Sequence, residues 1–306
     1  MFDGGRVIWC RVYENLKPES NRFQVTAHPY YPSFNFKTLD VYLYRETCDA
    51  VLFLRHVVKD GVTGFMNHRI RAVTFDLWNT LIEVVSYTEA RVNALHEAAA
   101  RAGFTGAVEA AAEAFRGSAA WYQREWRMRH VQVDSGARLD YMLGELGVEL
   151  APADRAALAE EFEDVFLRSP PPLKPGAFEA VTLLSPRYKL GVISDTGITP
   201  GRAMRRYFED RGLMNHFTSL VFSDETGLCK PHPDVFRQAL RELGAEPYEA
   251  VHVGDLLRTD IAGAKNAGMK AVWVRSPYQD GESDAEPDFI IDSLHELHRI
   301  IESLDR

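Results

Sequence analysis

Cysteine is scarce. The 306 residues hold three, Cys10, Cys48 and Cys229, far apart from one another. They form no CxxC pair and no metal-ligand spacing, which excludes a disulfide framework and a structural zinc and makes a reducing compartment, the cytoplasm, the expectation. No stretch approaches the roughly 18 consecutive apolar residues that a membrane helix needs. The start, Met1-Phe2-Asp3-Gly4-Gly5-Arg6, lacks the basic-then-apolar order of a secretory signal. Positive charge is also short: Lys plus Arg is 35 against 44 for Asp plus Glu, a formal net charge of −9. Such an acidic chain has no electrostatic footprint for nucleic acid or an anionic membrane, and neither is expected as a partner. Internal repeats, low-complexity tracts, helix-turn-helix, zinc-finger and Gly-rich nucleotide-loop patterns are all missing. Nothing in the sequence sets an oligomeric state.

What is present is globular, with 46% hydrophobic and 26% charged residues, and long enough for about two domains. Composition changes sharply near Met66. Residues 1–65 contain two alanines, Ala27 and Ala50, and twelve aromatics, whereas residues 66–306 contain 31 alanines and 22 aromatics. The first segment has short β-prone runs, Val41–Tyr44 and Val51–Leu54, broken by Pro18, Pro29, Pro32 and Gly61. Three readings stand for it: a small appended element, a poorly ordered extension, or translated upstream sequence with the natural start at Met66. The last is favoured, because an ordinary core strand follows a few residues later.

From Arg71 onward the pattern is legible. Ala72–Phe75 reads as a buried strand. Glu89–Ala102, Val108–His130, Ala137–Gly147 and Pro152–Arg168 read as helices, ended by the prolines 170–172. Beyond Pro175, helices at 176–186, 200–212, 233–243, 259–267 and 293–304 alternate with strands at 190–193, 220–222, 250–253, 271–274 and 289–291. That alternation predicts an α/β protein with a parallel sheet covered on both faces. Residues 66–84 and 173–306 are expected to form this core, and 85–172 a helical domain inserted into it.

Parallel sheets place ligands at the carboxyl ends of their strands, and four polar positions fall there. Asp76 follows Phe75, Ser194 follows Ile193, Lys230 lies in the loop after the 220–222 strand, and Asp255 follows Gly254, with Asp260 five residues on. A lone strand-end Asp is most often a helix N-cap. The set together is chemically coherent. A carboxylate can attack phosphorus to give an acyl phosphate. Several carboxylates suit a hard cation such as Mg²⁺, which lets an anionic nucleophile approach an anionic phosphate. A hydroxyl and an ammonium can hold the remaining oxygens.

The segments Asp76-Leu77-Trp78-Asn79-Thr80-Leu81, Ile193-Ser194-Asp195-Thr196, Lys230-Pro231 and Gly254-Asp255 with Asp260 resemble, in this order, the four signature motifs of the haloacid dehalogenase superfamily of hydrolases. The resemblance covers residues 70–292. It implies a Rossmann-like core with a helical cap acting as a mobile lid, as in the branch that includes haloacid dehalogenases and phosphoglycolate-type phosphatases. It further implies Asp76 as nucleophile, and Ser194 and Lys230 as phosphate-binding catalytic groups. Thr80 would buttress the nucleophile loop beside the substrate. Mg²⁺ would be held by Asp76, Asp255, the backbone carbonyl of Trp78 and, in a ligating or orienting role, Asp260. A small phosphorylated metabolite is the substrate expected.

One position departs from the pattern. Most family phosphatases carry a second Asp two residues after the nucleophile, as proton donor and later base; here it is Trp78. General acid–base help is worth about 10²–10⁴ in rate. Three consequences are open. The protein is a phosphatase whose substrates need little acid help, or one in which Asp195 or a cap residue supplies the proton. It is a carbon–halogen hydrolase, a branch with an aromatic at this position but without metal and without the acidic pair Asp255 and Asp260. Or it is a weak relative that binds a phosphorylated ligand or a protein partner. Elsewhere, Trp121, Tyr122 and Trp126 read as core and Arg124, Arg127 and Arg129, with His130, as a solvated face, the alternative being that some face the cleft. His232 and Asp234 read as a helix start. Cys229 reads as a buried inert thiol or, with Lys230 beside it, an activated one.

Overall fold

In the computed structural model the described residues are 69–304 except Asp280 and Glu282, together with an antiparallel pair of two-residue strands, Phe2–Asp3 and Arg6–Val7. The chain divides into two compact units, Met1–Met66 and Asn67–Arg306. The β-prone runs at 41–44 and 51–54 lie outside the described residues.

In the second unit, short β-branched runs form six strands: β1 (Ala72–Phe75), β2 (Lys189–Ser194), β3 (Phe217–Phe222), β4 (Ala250–Gly254), β5 (Lys270–Val274) and β6 (Phe289–Ile291). They pair in the order β3-β2-β1-β4-β5-β6, all parallel. The central strands β1 and β4 are buried along their whole length because helices cover both faces. One face packs Val73, Phe75, Val192, Val251 and Val253 against α5 (Ala177–Leu184), α6 (Gly201–Asp210) and α9 (Leu297–Leu304). The other packs Ala72, Ile193, Val221 and Ala250 against α7 (Pro233–Leu243) and α8 (Ala262–Asn266). The result is an α/β sheet of the expected class.

Between β1 and β2 the chain makes four helices, α1 (Thr88–Arg101), α2 (Val108–Arg129), α3 (Ser135–Leu146) and α4 (Pro152–Arg168). Their facing apolar stripes make a separate cluster that includes Leu95, Phe115, Leu139, Met142 and Phe162, and one core residue, Ile198, joins it. Local chemistry sets the ends. Asp134 caps α3 by accepting from Ala137 N at 2.8 Å. Pro152 opens α4, and Gly147 closes α3 in the left-handed conformation. No helix among the described residues is long and apolar enough to cross a membrane.

Candidate active site

Strand register gathers the motif residues. Phe75 pairs with Val192 on one side and Val253 on the other. Asp76, Ser194 and Asp255 therefore leave the sheet at one edge, and Asp76 N donates to Val253 O at 2.8 Å. After Asp76 the chain folds back on itself: Leu77 O accepts from the amides of Thr80, Leu81 and Ile82. Asn79 takes the left-handed conformation this turn needs (φ 59).

Lys230 lies at the centre, 2% exposed. Its Nζ donates to Asp76 Oδ1 at 2.5 Å and to Asp260 Oδ1 at 2.7 Å. Burial opposes its charge, but Asp260 and Asp76 outweigh burial and hold the ammonium well above the usual lysine range. Asp260 is the most ionised of the carboxylates. Burial pushes it up, but Lys230 and His252 together pull it below the ordinary range. Both its oxygens are engaged, Oδ1 by Lys230 and His252 Nε2 (3.3 Å) and Oδ2 by Leu256 N (2.9 Å). Gly254 makes room for this carboxylate: a Cβ there would stand 2.4 Å from Asp260 Cβ and Cγ.

Asp76 and Asp255 move the other way. Burial pushes Asp76 up to about 7 against the pull of Lys230. Burial, then the charges of Asp76 and Asp260, push Asp255 up to about 9. One oxygen from each of Asp76, Asp255 and Asp260 lies within 4.8 Å of the others, and all three residues are buried. Trp273 Nε1 and Gln279 Nε2 fix the Asp255 carbonyl at 2.8 and 2.9 Å.

Three buried side-chain oxygens in this region, Thr80 Oγ1, Ser194 Oγ and Asp255 Oδ2, have no hydrogen-bond partner in the protein. An unsatisfied buried polar atom costs about 1–3 kcal/mol, so these three mark where a polar ligand belongs. The buttressing expected of Thr80 has no hydrogen bond from its hydroxyl behind it. The Trp78 ring is half-buried and meets Phe166 of α4 edge-on, centroids 5.7 Å apart.

Asp195, considered as a proton donor, is tied to the scaffold: Oδ1 accepts from Lys230 N and Oδ2 from Trp126 Nε1, each at 2.9 Å. Burial pushes its carboxyl above the ordinary range despite Lys230 and these two donors, but both oxygens are engaged as acceptors from the scaffold. Cys229 is fully buried, and burial pushes its thiol up despite the neighbouring lysine, so it is the inert alternative. On α2, Tyr122 and Trp126 are buried while Arg124, Arg127 and Arg129 are exposed. His232 starts α7, its Nδ1 accepting from Asp234 N at 3.3 Å.

The sequence reading missed His252. It sits fully buried inside β4, with Thr74 Oγ1 2.9 Å from Nδ1 and Asp260 beyond Nε2. Burial lowers its pKa, so it stands as a neutral ring supporting Asp260. The available signal was a lone imidazole in an otherwise apolar strand. It missed Gln132 as well, whose side chain donates to Gly197 O and accepts from Ser223 Oγ.

A family model for haloacid dehalogenase-like hydrolases matches residues 70–268. The chain is 33% identical over 248 residues to a glyceraldehyde 3-phosphate phosphatase of Methanopyrus kandleri, an alignment spanning 77% of this chain and 98% of that one. It is 30% identical over 245 residues to a phosphoserine phosphatase of Thermus thermophilus, spanning 74% and 98%. Among solved structures, a 2-haloacid dehalogenase from Pseudomonas syringae aligns with a TM-score of 0.56 at 27% identity, over 76% of this chain and 99% of that one. Matching motifs, matching sheet and a family match over most of the second unit agree: this chain belongs to the haloacid dehalogenase-like hydrolases.

Proposed function

We propose that this hydrolase is a phosphatase that cleaves the monoester of a small phosphorylated metabolite through an aspartyl-phosphate on Asp76, with Mg²⁺ as its cation. The observation that carries the reading is the buried Lys230 between two carboxylates, beside a third, Asp255, whose Oδ2 has no partner. An all-oxygen set of this kind fits a hard divalent ion. Asp76 and Asp255, with the Trp78 carbonyl, would hold it, and Asp260, already saturated by protein donors, takes the orienting role. When bound, the cation neutralises charge shared between the carboxylates and the phosphate oxygens. Two relatives named as phosphatases of small phosphorylated metabolites support the same class.

The chain's own residues then divide the work. An oxygen of Asp76 forms a bond to phosphorus while the bond to the leaving oxygen breaks, and that oxygen takes the electron pair. Lys230 stabilises the charge on the transferring group. Ser194 Oγ, and Thr80 Oγ1 beside the nucleophile loop, gain the partners they lack by donating to phosphate oxygens. Water then attacks the acyl phosphate, the Asp76–phosphorus bond breaks, orthophosphate leaves, and the water proton passes to solvent. Trp78 cannot protonate the departing oxygen, so leaving groups stable as anions, aryl and acyl, are the best served.

The test is orthophosphate release from a panel of phosphorylated metabolites, p-nitrophenyl phosphate and acetyl phosphate, with Mg²⁺ and with EDTA. Mg²⁺-dependent release that Asp76→Asn abolishes is the expected result. The aromatic Trp78 and the dehalogenase likeness favour one second reading, carbon–halogen hydrolysis. Halide release from a 2-chloro acid in EDTA, with no orthophosphate from any ester, would establish that reading and overturn the first.

A further inference from the structure

Helix α2 ends at Arg129, and His130 turns the chain out of it in the left-handed conformation (φ 54). The next residues run antiparallel to the segment just before Lys230. Val131 bridges Leu228, Cys229 N donates to His130 O at 2.8 Å, and Gln132 N donates to Gly227 O at 3.0 Å. The Gln132 side chain, 8% exposed, then reaches the loop after Ser194. Its Nε2 donates to Gly197 O at 2.5 Å and to Val133 O at 2.9 Å. Its Oε1 accepts from Ser223 Oγ at 2.8 Å, and that same oxygen of Ser223 accepts from Thr196 N at 2.9 Å. A small apolar cluster of Tyr122, Trp126, Val133 and Cys229, with Leu256 against it, adjoins the network, the Cys229 thiol donating to Gln132 Oε1 at 3.7 Å. Alongside it, Trp126 and Lys230 N share the carboxylate of Asp195.

The position demands an amide. Gly197 O needs a donor and Ser223 Oγ an acceptor; a carboxylate lacks the first, an apolar chain lacks both, and Asn is one methylene shorter. Within this buried region each unmet group would remain unpaired. One side chain of the insert thus holds the loop that carries Ser194, while its backbone holds the loop that carries Lys230.

We propose that Gln132 is a positioning residue: it locks both phosphate-binding loops to the helical insert, so that Ser194 and Lys230 are in place together only while the insert is seated. The inference rests on the phosphatase reading. Its signature is weakened binding of the phosphoryl group, which a purely structural role would not produce.

The experiment measures KM and kcat for p-nitrophenyl phosphate, inhibition constants for orthophosphate and orthovanadate, and melting temperature. The proteins are wild type, Gln132→Leu, Ser223→Ala and the double variant. Each single substitution is expected to raise KM and both inhibition constants about ten-fold, as for the loss of one or two net hydrogen bonds, with kcat less affected. The double variant is expected to be no worse than the more impaired single variant, because the two residues act through one network. Unchanged inhibition constants in Gln132→Leu with a lower melting temperature would overturn the inference. Should that variant not fold, Ser223→Ala, which deletes a single hydroxyl, decides on the same constants. Failure of the phosphatase reading is distinguishable, since the wild type itself would then release no orthophosphate, and this inference would fall with it.

Discussion

Replacing Asp255 by asparagine tests the electrostatics of the site most directly. Asp255 is 2% exposed, its Oδ2 is unpartnered, and burial together with Asp76 and Asp260 pushes its carboxyl up to about 9, from an ordinary 3.8. The folded value is raised, so the stability this group supports is complete below its ordinary value and is lost as pH rises towards 9. At pH 7.5, without a cation, the folded protein must either retain a proton at Asp255 or carry an uncompensated buried charge. Asp255→Asn keeps the shape and removes the problem, for a gain on the order of 3 kcal/mol. For a chain of this size that is roughly 6–12 °C in Tm. On the proposed reading the same change deletes a cation ligand. Scanning calorimetry at pH 7.5 in EDTA and in Mg²⁺ therefore has opposite expectations for the two proteins. The variant melts higher than wild type in EDTA, and Mg²⁺ raises the Tm of wild type but not of the variant. A variant that melts at or below wild type in EDTA, or that Mg²⁺ stabilises as much as wild type, would refute this account.

Two further outcomes follow from the geometry. Trp78→Asp restores a proton donor beside Asp76, and steady-state kinetics should show hydrolysis of alkyl phosphates accelerated by about 10²-fold or more, with little change for p-nitrophenyl phosphate; equal effects on both would remove the argument. Gly254→Ala sets a Cβ 2.4 Å from the Asp260 carboxylate position, displacing the group that orients Lys230. Turnover should fall on the order of 10²-fold while the far-ultraviolet circular dichroism stays that of wild type, and full activity in that variant would show that Asp260 need not be where it is.

Much of the second unit is legible in the sequence because its signals are local. Helix α7 runs Pro233–Leu243 as expected, since Pro233 opens it and Gly244, with φ 59, closes it. Strand β3 begins earlier than its apolar stretch, at Phe217 and not Leu220, because at the sheet edge Thr218 faces solvent and breaks the hydrophobic run. The helix expected at 259–267 divides into a π-helical turn, Leu257–Ile261, and the short α8. The wider turn lets the Asp260 carboxylate fold back onto Leu256 N and Lys230. Four strand-end motifs carry the site for the same reason: a parallel sheet gathers such positions whatever lies between them. The supporting groups lack a local signal. Trp126 meets Asp195 across 69 positions and Ser223 meets Gln132 across 91, and nothing at either end of those pairs announces its partner. Likewise, His252 reads as one polar residue in a strand until Thr74 and Asp260 are seen on either side of its ring.

Trp78 and the acidic residues pull the chemical reading in opposite directions, and the physical weight lies with the acids. A departing halide needs no proton, so an aromatic at position 78 suits carbon–halogen hydrolysis. For that reaction, however, Lys230 alone would compensate Asp76, and Asp255 would be a buried carboxyl with an orphaned oxygen, costing several kcal/mol for nothing. Phosphoryl transfer would give that oxygen a purpose, because a cation held there would lower the repulsion among three carboxylates and an incoming dianion at once. Trp78 has a separate reason to be present: its ring packs edge-on against Phe166 of α4 and so joins the loop after Asp76 to the insert. On this reading the missing acid restricts which leaving groups are accepted, and leaves the bond that is broken, phosphorus to oxygen, unchanged.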